Sequence, residues 1–466
     1  MSYDHLSDGD LVFLRDVVGA DWVSTTHADR EQHSRDQSFH EAHLPDVVVW
    51  PETTAQVSAI LHHANERRIP VTAWGAGTSL EGNPVPLFGG IVMDFRRMNQ
   101  ILSIDAADFQ VTVQPGVLYK DMNEKLARRG LFYPPDPGAN ASIGGMVANN
   151  AAGIRTVKYG ATRENVLGLE VVLADGRIIH CGTHAHKSSS GYDLVHLFTG
   201  SEGTLGIVTE ATLKLWPLPD QFSAGVAAFD TVDAAAQAVY EIMGSGLSPA
   251  ALELLDTNMV TLLNAEEEVG LPESPILFME FHAATQAALE EELKLVQAIC
   301  TDNDCASFQA GFGPDARRKL WHARHHAYET LVRANPAYDF VILDVAVPIS
   351  AYPALVTRAR EWADSYRLPC YSLGHAGDGN LHVTPAYVPD DPASVARAQE
   401  FNADLVGYAL ELGGTATGEH GVGVGKRKYM AAEHGESLTV MRQIKQALDP
   451  KGILNPGKIL KTAENG

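Results

Sequence analysis

Val47, Val48, Val49 and Trp50 form an uninterrupted apolar run. After it, Val57, Ile60, Leu61 and Ala64 recur at i, i+3, i+4 and i+7, the spacing of one helix face. Pro70 then restarts an extended run that ends at Trp74. Strand, amphipathic helix and strand in that order predict a βαβ unit. Further strands are expected at Ile91 to Asp94, at Gln110 to Gln114, where Val111 and Val113 alternate with polar neighbours, and at Glu170 to Leu173. A helix through Leu118, Met122 and Leu126 falls between them, so Asp46 to about Leu218 reads as an α/β region. Trp216-Pro-Leu-Pro-Asp220 closes it, because two prolines end a strand pattern and resist a continuing helix.

The second region opens with a strand at Ala224 to Phe229 and a helix around Ala234 to Ile242. A strand at Ile276 to Phe281 follows, then a helix with Leu289, Leu293, Val296 and Cys300 on one face. That rhythm suits an α+β sandwich. Near the end, Met441, Ile444 and Leu448 mark a helix, and Asp449-Pro-Lys-Gly-Ile-Leu-Asn-Pro-Gly-Lys458 after it must be an ordered loop or a tail.

At 466 residues and 45% apolar, the chain has ample core for roughly two to four domains, which excludes a disordered or fibrous protein. Its formal net charge of −23 disfavours binding to nucleic acid or an anionic membrane. No run nears the ~18 apolar residues of a membrane span, and the opening lacks the basic start and apolar stretch of a signal peptide, so a cytoplasmic protein is expected. The four cysteines never form CxxC, which argues against a disulfide framework and a thiolate metal site. Any metal must be held by His and carboxylate.

Trp74-Gly-Ala-Gly-Thr-Ser-Leu-Glu-Gly82 follows a strand but fails as a dinucleotide fingerprint: the third glycine position is Leu80, and Asn83-Pro-Val-Pro86 cannot open a helix. Taken alone, a surface turn accounts for it better than an anion nest. Three more small-residue loops accompany it, at Pro134 to Gly138, Ile143 to Gly153 and Gly200 to Gly206. In order and content the four resemble the FAD-binding domain of the vanillyl-alcohol-oxidase and p-cresol-methylhydroxylase (PCMH) superfamily. The resemblance implies FAD contacts from Gly75, Ala76, Gly77, Thr78 and Ser79 in the first loop and from Asp136 and Pro137 in the second. It implies others from Ser142, Gly145, Asn149 and Gly153 in the third, and from Glu202, Gly203, Ile207 and Val208 in and after the fourth. Members often tether the flavin through a His in the first loop; here that loop has no His, so a non-covalent FAD is expected.

Most of the 19 histidines are explained as solvated or hydrogen-bonded side chains. Three stand apart. His375-Ala-Gly-Asp-Gly-Asn-Leu-His382 sets two imidazoles on either side of a Gly-Asp-Gly turn, which can bring both rings to one point. Gly418-Glu-His-Gly-Val-Gly-Val-Gly425 offers a carboxylate beside a third imidazole. Two His and one Glu suit zinc, manganese or iron with open positions, although His-x6-His is not a standard metal motif and a turn that happens to carry His is an equal reading. Asp378, inside the turn, reads better as a turn cap than as a ligand.

With these segments in one order, the chain resembles the FAD-dependent D-2-hydroxyacid dehydrogenases, most closely the acceptor- or cytochrome-linked D-lactate type. Arg30 to Asp36, Leu320-Trp-His-Ala-Arg324, Asp344-Val-Ala-Val-Pro-Ile-Ser350 and Asn455-Pro-Gly-Lys458 extend the resemblance from about Asp16 to Leu460. It implies an α+β fold with a two-subdomain PCMH-type FAD-binding domain, and an α+β substrate or cap domain with an antiparallel sheet. The expected divisions are an N-terminal helical segment over 1–44, the FAD domain over 45–219, the cap domain with the metal site over 220–436, and a C-terminal segment over 437–466 that packs on the FAD domain. It further implies a divalent metal on His375, His382 and Glu419, His420 as the base, Arg324 on the substrate carboxylate, and Asn455 near the flavin ring. Without it, Arg324 reads as a surface arginine among Arg317, Arg318 and Lys319.

The implied reaction is oxidation of a D-2-hydroxy acid to the 2-oxo acid, with hydride passing to flavin N5 and electrons to a cytochrome, a quinone or an electron-transfer flavoprotein. Relatives acting on D-2-hydroxyglutarate bring a basic residue from the strand that here reads Val341-Ile-Leu-Asp344, so D-lactate is the first choice. D-2-hydroxyglutarate dehydrogenase, the flavin subunit of a glycolate oxidase and, in a different class, a metal-dependent hydrolase are the alternatives. A homodimer is open; neither nucleic acid nor an integral membrane segment is expected.

Overall fold

Three β-branched residues, all fully buried, make the strand Val47–Val49. The helix that follows, Thr54–Arg67, is started by the Thr53 hydroxyl, which accepts from the Gln56 N–H, and stopped by Arg68 in a left-handed conformation (φ 51°). Its stripe of Val57, Ile60, Leu61 and Ala64 is fully buried, which for the larger side chains contributes about 1.5–3 kcal/mol each. The computed structural model in which these elements lie describes residues 3–311 and 314–461 and, of residues 314–317, the backbone alone. Its contacts divide the chain into two units: Met1–Ala151, Ala161–Leu218 and Glu419–Gly466 in the first, Ala152–Gly160 and Pro219–Gly418 in the second.

The first unit has two halves. In one, Val47–Val49 and Val71–Trp74 flank Ile91–Asp94, both parallel to it, so the expected βαβ unit closes around a third strand. In the other, five strands pair antiparallel in the order Ile101–Asp105, Gln110–Val113, Ile207–Lys214, Val166–Val172 and Ile178–Gly182. The α/β reading of 46–218 therefore holds only for its first half. The strand Ile207–Lys214 alternates buried and half-buried positions along its length, which an antiparallel sheet with one covered face permits.

The C-terminal segment belongs to this unit from Glu419, earlier than the 437 set by the helix pattern. The buried Glu202 carboxylate draws the chain in there, accepting from the N–H groups of Val422 (2.6 Å) and Gly423 (2.9 Å). The helix Ser437–Leu448 lays Ile444 and Leu448 on the antiparallel half's core. The Pro- and Gly-rich stretch after it is ordered: Leu454 bridges Val71 in parallel, extending the small sheet by the tail.

Buried with the tail is Lys458, whose ammonium donates to the Val85 carbonyl and whose pKa burial lowers to about 7, against the pull of Glu202. The unfolded chain therefore holds the extra proton between about pH 7 and the ordinary lysine value of 10.5, and stability rises with pH across that window. Lys458→Met is expected to flatten this rise, a difference on the order of a few kcal/mol. Urea midpoints of both proteins at pH 7 and pH 9 check it, and equal slopes would remove the assignment.

The second unit is one eight-stranded antiparallel sheet, ordered Cys305–Ala310, Gln221–Phe229, Ile276–Ala283, Ala251–Leu255, Cys370–Gly374, Asn380–Tyr387 and Asp339–Phe340, with Leu343–Ala346 also paired to Asn380–Tyr387. Gln221–Phe229 and Ala251–Leu255 run parallel around the antiparallel Ile276–Ala283, joined by the helix Val232–Gly244, a split βαβ. Consecutive buried residues along the central strands mean that both sheet faces are covered, as a sandwich requires. Among the described residues no helix is long and apolar enough to cross a membrane.

Candidate functional site

In the first unit three of the four glycine-rich loops converge on one cavity. Its walls come from Ala73 to Gly75, Pro115, Ser142 to Ala148 and Ser201 to Val208, with the rings of Phe95 and Phe198. Small side chains are needed for the loops to meet: a Cβ on Gly75 would lie 2.3 Å from the Ser142 hydroxyl oxygen. The lining has no Lys, Arg, His or Cys. Such a slot, lined by small residues and two aromatic rings, suits a dinucleotide cofactor.

Of the expected FAD contacts, Gly75, Ser142, Gly145, Gly203, Ile207 and Val208 line this cavity. Others are engaged elsewhere: Asp136 accepts from the Tyr119 hydroxyl at 2.6 Å, and Gly153 lies in the segment Ala152–Gly160 counted with the second unit. Asn455, 4% exposed, spends its amide on the carbonyls of Asn83 (3.0 Å) and Glu202 (2.7 Å), fastening the tail to the first and fourth loops.

In the second unit the strand Cys370–Gly374 turns through Ala376–Asp378 into Asn380–Tyr387. Only glycine fits at 379, where φ is +71° and a Cβ would stand 2.1 Å from the Val347 carbonyl oxygen. That hairpin carries the rings of His375 and His382 to 5.3 Å apart, edge to face, both buried. Asp378 is exposed.

Each ring presents its Nδ1 edge to a fully buried carboxylate. Leu254 pairs with Gly374 across the sheet, so Glu253, one step back, stands opposite His375, and its Oε1 lies 2.8 Å from His375 Nδ1. A carboxylate accepts only, so Nδ1 carries the proton, and when the ring is neutral Nε2 is its acceptor nitrogen. Asp344, the direct cross-strand partner of His382, lies 3.6 Å from its Nδ1 and is held by the Asn380 amide and the Thr417 hydroxyl, both at 2.8 Å. Metal-ligating histidines have a neutral ring with one nitrogen turned to a carboxylate, an arrangement that His375 fits at hydrogen-bond distance and His382 at ion-pair distance, so the pair fits a divalent ion.

Arg324, in the last turn of Pro314–His325, is not on the surface. It is 7% exposed, its Nε donates to Glu253 Oε2 at 2.7 Å, and its Nη2 pairs with the same oxygen. The reading from basic neighbours fails because Arg318 and Lys319 lie on the helix's open side, whereas residue 324 turns inward with Leu320 and Ala323; the Arg317 side chain lies outside the described residues. Burial pushes the Glu253 carboxyl up, but Arg324 and His375 outweigh it and hold the group below its ordinary value. Glu419 and His420 follow directly on Gly418, whose N–H bonds the Asp344 carbonyl at 3.0 Å. The His420 Nε2 lies 3.9 Å from the adjacent Glu419 carboxylate.

Sequence reasoning missed Glu253 altogether. Its strand, Ala-Leu-Glu-Leu-Leu, is made of good helix formers and carries no β-branched residue. Asp344 was visible in a motif but without a role; it lies inside the strand Leu343–Ala346, and the register that sets it opposite His382 is not written in the motif.

Comparison with known proteins shows the family and the fold. Residues 218–459 match the model for FAD linked oxidases, C-terminal domain, and residues 45–182 match an FAD binding domain. The "Probable D-lactate dehydrogenase, mitochondrial" of Danio rerio is 40% identical over 97% of this chain and 91% of its own length. The "Glycolate oxidase subunit GlcD" of Bacillus subtilis is 39% identical over 96% and 95%. The crystal structure of p-cresol methylhydroxylase superposes with a TM-score of 0.78 over 100% of this chain and 99% of that one, at 17% identity, which shows the expected PCMH-type fold. The chain belongs to the FAD-linked oxidases, as a flavoprotein oxidoreductase with an FAD-binding first unit and an antiparallel α+β second unit.

Proposed function

We propose that the protein oxidises a D-2-hydroxy acid, D-lactate first, with a divalent metal (zinc or manganese, iron third) on His375, His382 and Glu419, and passes electrons to an acceptor other than NAD. The observation that carries the reading is the pair of buried imidazoles, each backed by a buried carboxylate, with a buried arginine on one of those carboxylates. When bound, the flavin supplies an acceptor for the hydrogen at C2 and the metal polarises the substrate hydroxyl.

The chain's own groups do the rest. Arg324, with one guanidinium edge on Glu253, keeps its Nη1/Nη2 edge for a substrate carboxylate. His420, which cannot serve both as ligand and as base, takes the hydroxyl proton, while Glu419 beside it ligates. D-lactate is favoured because the 341–343 stretch, Val-Ile-Leu, offers no cation to a second carboxylate, and because a relative covering nearly the whole chain is named for D-lactate. The glycolate oxidase name keeps glycolate as the competitor.

Anaerobic addition of D-lactate, glycolate or D-2-hydroxyglutarate to the yellow holoprotein tests this. D-lactate is expected to bleach the flavin fastest, and failure of all three would sink the reading. Acid precipitation is expected to leave the flavin in the supernatant; colour in the pellet would mean a covalent tether.

A further inference from the structure

We infer that Glu253 is the positioning residue of this site, one carboxylate that sets the metal arm through His375 and the substrate arm through Arg324. The inference rests on the proposed metal and substrate roles of those two side chains, and it concerns a residue on neither motif.

Glu253 is fully buried in the middle of the strand Ala251–Leu255, between neighbours of a packed sheet. Its two oxygens are divided between partners: Oε1 faces His375 Nδ1 at 2.8 Å, and Oε2 accepts from Arg324 Nε at 2.7 Å. The strand cannot slide, because Leu254 and Leu255 are paired with Gly374 and Leu373 on one side and Ala251 to Leu255 with Ile276 to Glu280 on the other. A buried anion with two cationic or donor partners is therefore fixed in place, and it fixes them in turn.

On the His375 side, an acceptor at Nδ1 enforces the tautomer with the proton on Nδ1, which directs the lone pair of Nε2 outward as a ligand. On the Arg324 side, occupation of the Nε edge leaves the guanidinium end-on, the orientation that grips a carboxylate with two parallel bonds. Glutamine is isosteric but brings one acceptor and one donor. Whichever way its amide turns, either His375 or Arg324 meets an N–H₂ group, and the anion that pairs with Arg324 is gone. A purely structural Glu253 would affect folding alone. A positioning Glu253 must affect metal affinity and substrate affinity separately.

The test uses the FAD holoprotein stripped of metal and titrated with Mn²⁺ by electron paramagnetic resonance, then assayed with D-lactate at saturating Mn²⁺. Glu253→Gln is expected to retain a full complement of FAD, to weaken Mn²⁺ binding about 10- to 100-fold, the range for residues that orient a ligand, and to raise KM by more than it lowers kcat. Wild-type Mn²⁺ affinity, or an unchanged KM, would overturn the double role. Where Glu253→Gln does not hold FAD, Glu253→Asp takes its place. It keeps the charge but withdraws it by about one bond, ~1.5 Å, and the same two losses are expected at smaller size. His375→Ala, measured alongside, separates the two readings. If it abolishes Mn²⁺ binding while Glu253→Gln leaves it intact, the positioning role falls and the metal site stands. If His375→Ala itself keeps wild-type Mn²⁺ affinity, the metal reading falls and takes the inference with it.

Discussion

Replacing His375 or His382 by alanine is expected to strip the divalent metal and to cut turnover ~10³-fold or more while leaving the FAD complement unchanged. The size follows from the several kcal/mol that a Lewis acid contributes where charge develops on the substrate oxygen, at 1.36 kcal/mol per factor of ten. The selectivity follows from the fold. Both rings sit on the hairpin of the eight-stranded sheet, whereas the cavity that fits FAD is lined by residues 73–208 of the other unit. Metal analysis beside the flavin absorbance of each purified variant gives both answers. Chelation of the native protein should mimic the substitutions, and full activity after verified metal removal would sink the catalytic-metal hypothesis. Loss of flavin with the metal would instead mean that the two sites do not form independently.

His420→Asn is expected to keep both metal and FAD and to slow flavin reduction by substrate ~10²- to 10⁴-fold, the ordinary loss on removing a general base. Asparagine preserves the polar volume but has no nitrogen lone pair to take a proton near neutral pH. Arg324→Lys should act differently, raising KM strongly, since a point ammonium cannot supply the parallel bonds of the guanidinium fork. Because Arg324 also holds the buried Glu253 through Nε and Nη2, a fork that lysine cannot reproduce, that variant should additionally lose stability, which a surface arginine would not. Stopped-flow reduction by D-lactate in both variants decides between the roles. Wild-type reduction in His420→Asn would remove the base assignment, and an unchanged substrate dependence in Arg324→Lys would remove the clamp.

Elements with a clear apolar pattern were legible from the chain. The helix face of Val57, Ile60, Leu61 and Ala64 is fully buried as its spacing demands, and the strand at Ile91–Asp94 lies where it was expected. The strand Ala251–Leu255 was not legible. Alanine, leucine and glutamate favour a helix locally, and the segment is extended only because strands on both sides supply its hydrogen bonds and bury every residue.

The sequence by itself determined the local chemistry. A Gly-Asp-Gly segment between two histidines favours a tight turn, the small-residue loops can approach one another because their glycines carry no side chain, and the absence of paired cysteines restricts metal ligands to nitrogen and oxygen. Tertiary structure alone decided which charges serve those motifs. Glu253 lies 122 residues before His375 and 71 before Arg324, yet contacts both, and Glu202 reaches 220 residues ahead to Val422. Backbone propensity acts over a few residues, whereas cross-strand register and the cost of burying an unpaired charge act on whatever the topology makes adjacent. The imidazoles can therefore be found by their spacing, and the carboxylates that orient them only by the sheet.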